Sequence, residues 1–234
     1  MRPHDLQLLF TEHSHLDGCE HHAYNHIEFI IPRHFPKTLN IDGSQKINIH
    51  YGSAIPERGW YLPKSFGSIS EIHFSQFDFT RIENASLGER ELVATELIRD
   101  GLLFLCKHLE LETEPIEEAC RRTIEDGFTY CWTHKKTSKS TKDRRLRIET
   151  HMKMGADGVA TEFVFFRSKQ EINRICYPLE WLYESIWFDL WNVEWRGCSA
   201  IITDRIGSVI RSFTVHESNE VEQVVPAKSD RVGG

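Results

Sequence analysis

The sequence predicts an α+β fold, with mainly antiparallel sheets packed with two pairs of helices at about residues 87–126 and 169–195. Three observations carry that expectation. Apolar and polar residues alternate in several short runs, most cleanly from Leu146 to Met154, which is the period-two pattern of a half-buried strand. From Leu87 to Leu109, and again from Leu179 to Leu190, apolar residues recur at three-and-four spacing and so line one face of a helix. The resulting order of strands, helices, strands, helices and strands lacks the regular alternation of a parallel βαβ fold.

From the N-terminus, Leu6 to Phe10 and Ile27 to Ile31 read as short strands, the second stopped by Pro32. Asp42-Gly43 is a hairpin signal between Thr38 to Ile41 and Lys46 to Tyr51, where Ile47 and Ile49 alternate with polar residues. Gly52 to Gly67 reads as a loop. Between Ile69 and Ile82 the apolar phase switches from Ile72 and Phe74 to Phe77 and Phe79, which predicts a bulge or a bend. The helix from Leu87 gathers Leu97, Ile98, Leu102, Leu105 and Leu109 on one face, with Ser86 as its cap. Thr113 to Glu125 is a second helix, with Pro115 in its first turn and Gly127 as its stop. Strands follow at Phe128 to Thr133, Leu146 to Met154 and Val159 to Phe166.

Four of the six tryptophans fall between residues 181 and 195. Ser168 and Glu171 have the spacing of a capping box, which predicts a short helix from Lys169 to about Cys176. Pro178 then opens the helix that carries Leu179, Leu182, Ile186 and Leu190 on one side. Trp181, Phe188 and Trp195 lie on the opposite side at seven-residue spacing. A helix apolar on two faces is either held between two layers of its own domain or offers one stripe to a partner. Should it fray after Asn192, Trp195 would belong to a following strand. A hairpin at Cys198 to Thr203 and Ser208 to Val215 precedes a polar tail at 217–234. The expected organisation is one α+β domain over residues 1–216, with a division into subdomains of about 1–126 and 127–216 left open.

At 234 residues, 40% hydrophobic and 27% charged, the chain is long and apolar enough for a sizeable core. The formal net charge of −7 argues against a dedicated nucleic-acid binder and suits a basic protein partner. No run reaches the length of a membrane span and no secretory signal is evident, so the expectation is a soluble cytoplasmic protein without a membrane role. The six cysteines are scattered without a C-x-x-C pair and read as reduced, mostly core residues. The sequence is silent on oligomeric state.

Three stretches could carry chemistry. His13, His15, Cys19, His21, His22 and His26 offer metal-ligand spacing, since H-x-H on an extended segment points both rings one way and His22 with His26 would share a helix face. Leu8 to Gly18 (LLFTEHSHLDG) resembles the strand-then-T-x-H-x-H-x-D-H metal loop of the metallo-β-lactamase family at Thr11, His13, His15 and Asp17. That resemblance implies zinc ligands at His13 and His15 and a ligand to a second metal at Asp17. Gly18 stands where the family has its final histidine. The basic run Lys135 to Arg147 carries seven Lys or Arg on a hairpin connection and reads as solvated; phosphate contact is the alternative, weakened by the lack of interleaved aromatics. The terminal Gly233-Gly234 resembles the conjugation tail of ubiquitin-like modifiers, which implies a substrate of an E1-like enzyme.

The chain has no phosphate-binding glycine loop, no G-x-S-x-G and no H-E-x-x-H. The expectation is therefore a non-catalytic, cytoplasmic protein-binding protein without a cofactor. Its most concrete form is a bacterial immunity or antitoxin protein that occludes a partner's active site. Trp181, Phe188 and Trp195 would anchor, and Glu184 and Asp189 would face a basic partner. The alternatives are the diglycine-tailed modifier and a metal-dependent hydrolase, with zinc, using His13, His15, Asp17 and His22.

Overall fold

A computed structural model describes residues 3–10, 25–52, 60–61, 67–75, 77–78, 80–179, 190 and 192–224. It has the α+β fold expected, and the chain divides into two compact units, Met1–Tyr130 and Cys131–Gly234.

The first unit is built on strands β1 (Asp5–Phe10), β2 (Lys46–Tyr51), β3 (Trp60–Tyr61) and β4 (Ile69–Phe74), in the sheet order β1-β2-β4-β3. β2 pairs parallel to both β1 and β4, and β3 pairs antiparallel to β4. Its described residues also form helices α1 (Asn25–His34), α2 (Thr80–Glu83), α3 (Leu87–His108) and α4 (Glu114–Glu125). Alternation decides which sheet face meets the helices. Leu6, Leu8, Phe10, Ile47, Ile49, Tyr51 and Ile72 are all buried and share one core with Ile27, Ile31, Leu97, Ile98, Leu102, Leu105 and Ile116. Burying each such side chain contributes roughly 1.5–3 kcal/mol, so this single cluster dominates the stability of the unit.

α3 starts where Ser86 caps it, the Ser86 N–H donating to the Glu89 carboxylate at 2.8 Å. Gly127, at φ +62°, ends the α4 region as expected. Two sequence expectations fail in this unit. Ile27 to Ile31 lies inside helix α1, not a strand, because Ile27, Ile30 and Ile31 are all fully buried at helical spacing and Pro32 is accommodated in the last turn. Thr38 to Ile41 is not a strand either. Asp42 and Gly43 do turn the chain, at φ +47° and +71°, but β2 finds its partners in β1 and β4. A turn dipeptide sets local geometry only, and the core decides the pairing. The phase switch after β4 is a bend: the strand ends at Phe74, and α2 begins at Thr80, whose N–H donates to Asp78 at 3.1 Å.

Among its described residues the second unit is all β apart from one 3₁₀ turn at Lys135–Thr137. One sheet has the order β5 (Tyr130–Thr133), β7 (Leu146–Gly155), β8 (Gly158–Arg167), β9 (Gln170–Leu179), with β6 (Lys139–Ser140) also on β7. The other has β10 (Asn192–Arg196), β11 (Ser199–Thr203), β12 (Val209–Val215) and β13 (Val221–Val224) in sequence order. Every strand pairing whose register is resolved in these two sheets is antiparallel. Phe213 of β12 joins the two sheets: it is fully buried, with ring centroids 5.2 Å from Phe163 and from Phe165 and 6.4 Å from Tyr177.

The helix expected at Lys169 to Cys176 is strand β9. Ser168 and Lys169 have φ +48° and +75° and sit between paired Arg167 and Gln170, so they form the two-residue turn of a β-hairpin and not a helix cap. Pro178 and Leu179 end β9, Asn192 to Arg196 form β10, and the centre of the expected helix lies outside the described residues. The expected tail also starts later, because β13 pairs with β12. Left-handed backbone costs a side-chain-bearing residue about 1–2 kcal/mol. Lys169→Gly should therefore raise stability by roughly 0.5–1 kcal/mol after the entropic cost of glycine. Urea unfolding measures this, and a lower midpoint would contradict the turn geometry.

Candidate metal centre

The face of the β1-β2-β4 sheet turned away from the helices carries polar side chains where the core face carries apolar ones. Its rows follow from register: Gln7, Asn48 and Glu71 stand side by side, and so do Leu9, His50 and His73. The second row arises because a short sequence pattern recurs. Ile49-His50-Tyr51 and Ile72-His73-Phe74 lie in register, each ending its strand. Parallel strands about 4.8 Å apart bring identical in-register side chains into contact. The two imidazoles stack accordingly, with centroids 4.2 Å apart and planes 3° from parallel. Glu71 Oε2 lies 3.8 Å from His73 Nε2, and one ligand atom from each of His50, Glu71 and His73 falls within 4.8 Å of the others.

Burial lowers the pKa of both histidines. For His50 the neighbouring His73 adds to the effect and Glu71 opposes it; for His73 only Glu71 opposes. Both rings are therefore mainly neutral at pH 7, the form that ligates metal. Among the described residues neither ring nitrogen of His50, nor Oδ1 of Asn48, has a hydrogen-bond partner, although all three atoms are buried. A buried polar atom without a partner costs about 1–3 kcal/mol. Two neutral imidazoles and a carboxylate suit a borderline divalent ion such as zinc or iron(II). Parallel rings cannot both aim a lone pair at one ion, so binding requires turning at least one ring about its soft terminal torsion.

No family model matches this chain, and no curated protein or solved structure shows significant similarity to it.

His13, His15, Asp17 and His22, the stripe residues Trp181, Glu184, Phe188 and Asp189, and the terminal Gly233 and Gly234 all lie outside the described residues. His26, from the same histidine-rich stretch, is fully buried in α1, its Nε2 2.7 Å from Glu91 Oε1. Trp195 is a correction: it belongs to β10, opposite Ala200, and its indole N–H donates to the Lys139 carbonyl at 3.0 Å. It is no third member of a helical stripe. Leu190 and Val193, from the opposite face of the expected helix, are buried.

In the basic run, Arg147 lies 4.2 Å over the Phe166 ring and 3.0 Å from Glu149, and Arg145 is 3.6 Å from Asp143. The cysteines are mostly not core residues among those described: Cys106 and Cys120 are buried, whereas Cys131, Cys176 and Cys198 are exposed. Among the described residues no helix is long and apolar enough to cross a membrane.

Acid should destabilise both units. His34, His50, His73 and His134 all have pKa values lowered from 6.5, burial being the largest cause in each. Below pH 6.5 the unfolded chain takes up protons that the native histidines resist, so stability falls as pH drops toward the native values and is flat above pH 6.5. Urea midpoints of metal-free protein on either side of pH 6.5 test the sign, and a midpoint that rises on acidification would refute it.

Proposed function

We propose that this protein binds a divalent metal ion of the zinc class in its first unit, through His50, His73 and Glu71, and that the chemistry at the site is metal-assisted hydrolysis. The observation that carries this reading is the convergence of two burial-neutralised imidazoles and a carboxylate within 4.8 Å. Location supports it too. His50 and His73 stand one residue from the carboxyl ends of parallel strands, the edge where open sheets of this kind place their ligands. Three protein ligands leave a position for water, whose proton a zinc-class ion acidifies toward neutrality. The reaction class is that implied by the T-x-H-x-H-x-D resemblance at residues 11–17, but the ligands are different ones.

His50 and His73 bind as neutral bases and Glu71 brings the one negative charge. Because the ligands come from two strands far apart in sequence, an ion held there links β2 to β4 and stabilises the native state. At a free zinc concentration 100 times Kd the gain is about 2.7 kcal/mol. Thermal unfolding of tag-free protein with and without zinc measures it. An unchanged melting curve, together with no heat of binding on titration with zinc, cobalt(II) or iron(II), would reject the reading.

A further inference from the structure

We propose that Asn48 is a fourth protein ligand of this site, its side-chain carbonyl oxygen joining the two imidazoles and the Glu71 carboxylate around an ion that would take water as a fifth ligand. The inference rests on the metal-binding reading above. Asn48 is the register partner of Glu71 in the neighbouring strand and lies two residues before His50 on the same face of β2. These four residues form a two-by-two block, Asn48 and Glu71 in one row, His50 and His73 in the next. Same-face neighbours in a sheet lie within side-chain reach both across and along the strands.

A second observation singles out Asn48 within the block. Its Oδ1 is buried and has no hydrogen-bond partner among the described residues. An amide oxygen in that position is a burden on the fold unless something accepts its lone pairs. The side chain cannot be there to join β2 to β4 through that atom. An amide carbonyl is a hard, neutral donor of the kind found on cations that take oxygen. It adds a ligand without adding charge, so the site keeps the single negative charge of Glu71. Of its neighbours on this face, Leu9 is apolar, Lys46 lies 3.7 Å from Asp5 in an ion pair, and Gln7 is on β1, one strand further from Glu71 and His73.

The test is cobalt(II) binding to the full chain, followed by titration and by the visible spectrum, in wild type, Asn48→Leu, Asn48→Asp and His50→Ala/His73→Ala. Leucine has a similar volume and no donor, and aspartate keeps the oxygen. Asn48→Leu should lose about 10–100-fold in cobalt(II) affinity, and its ligand-field bands should move. Asn48→Asp should restore both affinity and a wild-type-like spectrum. The metal-free urea midpoint of Asn48→Leu should equal or exceed that of wild type, whereas a purely structural asparagine would lower it.

Wild-type affinity with an unchanged spectrum in Asn48→Leu would overturn the role of Asn48 while leaving the three-ligand site intact. A lowered metal-free midpoint with unchanged affinity would also overturn it. If wild type binds no cobalt(II), or binds it as well as His50→Ala/His73→Ala does, the metal reading itself has failed and this inference falls with it.

Discussion

Replacing His50 and His73 together by Ala should abolish metal binding by the first unit while leaving its fold in place. The pair supplies both nitrogen ligands proposed, and both belong to the sheet face turned away from the core, whose buried cluster does not include them. Removing a mere outer-shell partner of a metal ligand costs roughly 10–100-fold in affinity, so loss of two direct ligands should exceed that range. The substitution also removes two half-buried polar rings, and neither nitrogen of His50 has a partner among the described residues. The metal-free stability should therefore change by no more than the ordinary effect of a point substitution, about 1 kcal/mol for each position. Equilibrium dialysis with zinc and elemental analysis of the dialysed protein give the first number, and urea unfolding the second. A double variant that binds zinc as wild type does would move the metal away from this face. One that unfolds outright would make the histidines structural.

Phe213→Ala should cost about 3–5 kcal/mol, the range for truncating a fully buried phenylalanine. Phe213 contacts Phe163 and Phe165 of β8 and Tyr177 of β9 from the opposing sheet, so truncation leaves a cavity between the sheets. Aromatic pairs add about 0.5–1.5 kcal/mol beyond area burial, which places the expected loss toward the upper end. Because whole domains are stable by only about 5–15 kcal/mol, the variant should unfold at markedly lower urea or temperature. A shift below about 1 kcal/mol, the ordinary effect of a substitution, would mean that the two sheets do not meet through this ring.

Much of the fold can be read residue by residue. α3 and α4, the β7-β8 hairpin and the β11-β12 hairpin all stand where periodicity and turn chemistry place them. In each, the partner that buries the apolar face is adjacent in sequence or the repeat is long, so local pattern and tertiary need agree. The errors fall where they conflict. IEFII at 27–31 satisfies both a strand and a helix template, and only contact with the β1-β2-β4 sheet selects the helix. Ser168 and Glu171 imitate a helix cap, yet the alternation of β9 against β8 wins. Trp195 continues a seven-residue spacing by coincidence, since its own side chain is held by Lys139 on β6.

The candidate site was half legible. The recurrence of Ile-His-aromatic at 49–51 and 72–74 is visible in the sequence, and a search for repeated triplets in strand-like runs would have found it. The histidines of residues 13–26 are denser and carry the stronger local metal-ligand spacing. Nothing local says that two strands 23 positions apart pair parallel and in register, and without that fact His50 and His73 are two unrelated half-buried residues.

Residue order alone establishes an acidic α+β chain, the core faces of its longest helices and cleanest strands, and the turns that glycine and proline impose, because each of these follows from interactions within a few neighbours. Which strands become neighbours, and therefore which imidazoles and carboxylates share 4.8 Å of space, is settled by long-range burial of apolar faces. Side chains on the far face of a sheet are carried into place by the packing of residues they never touch.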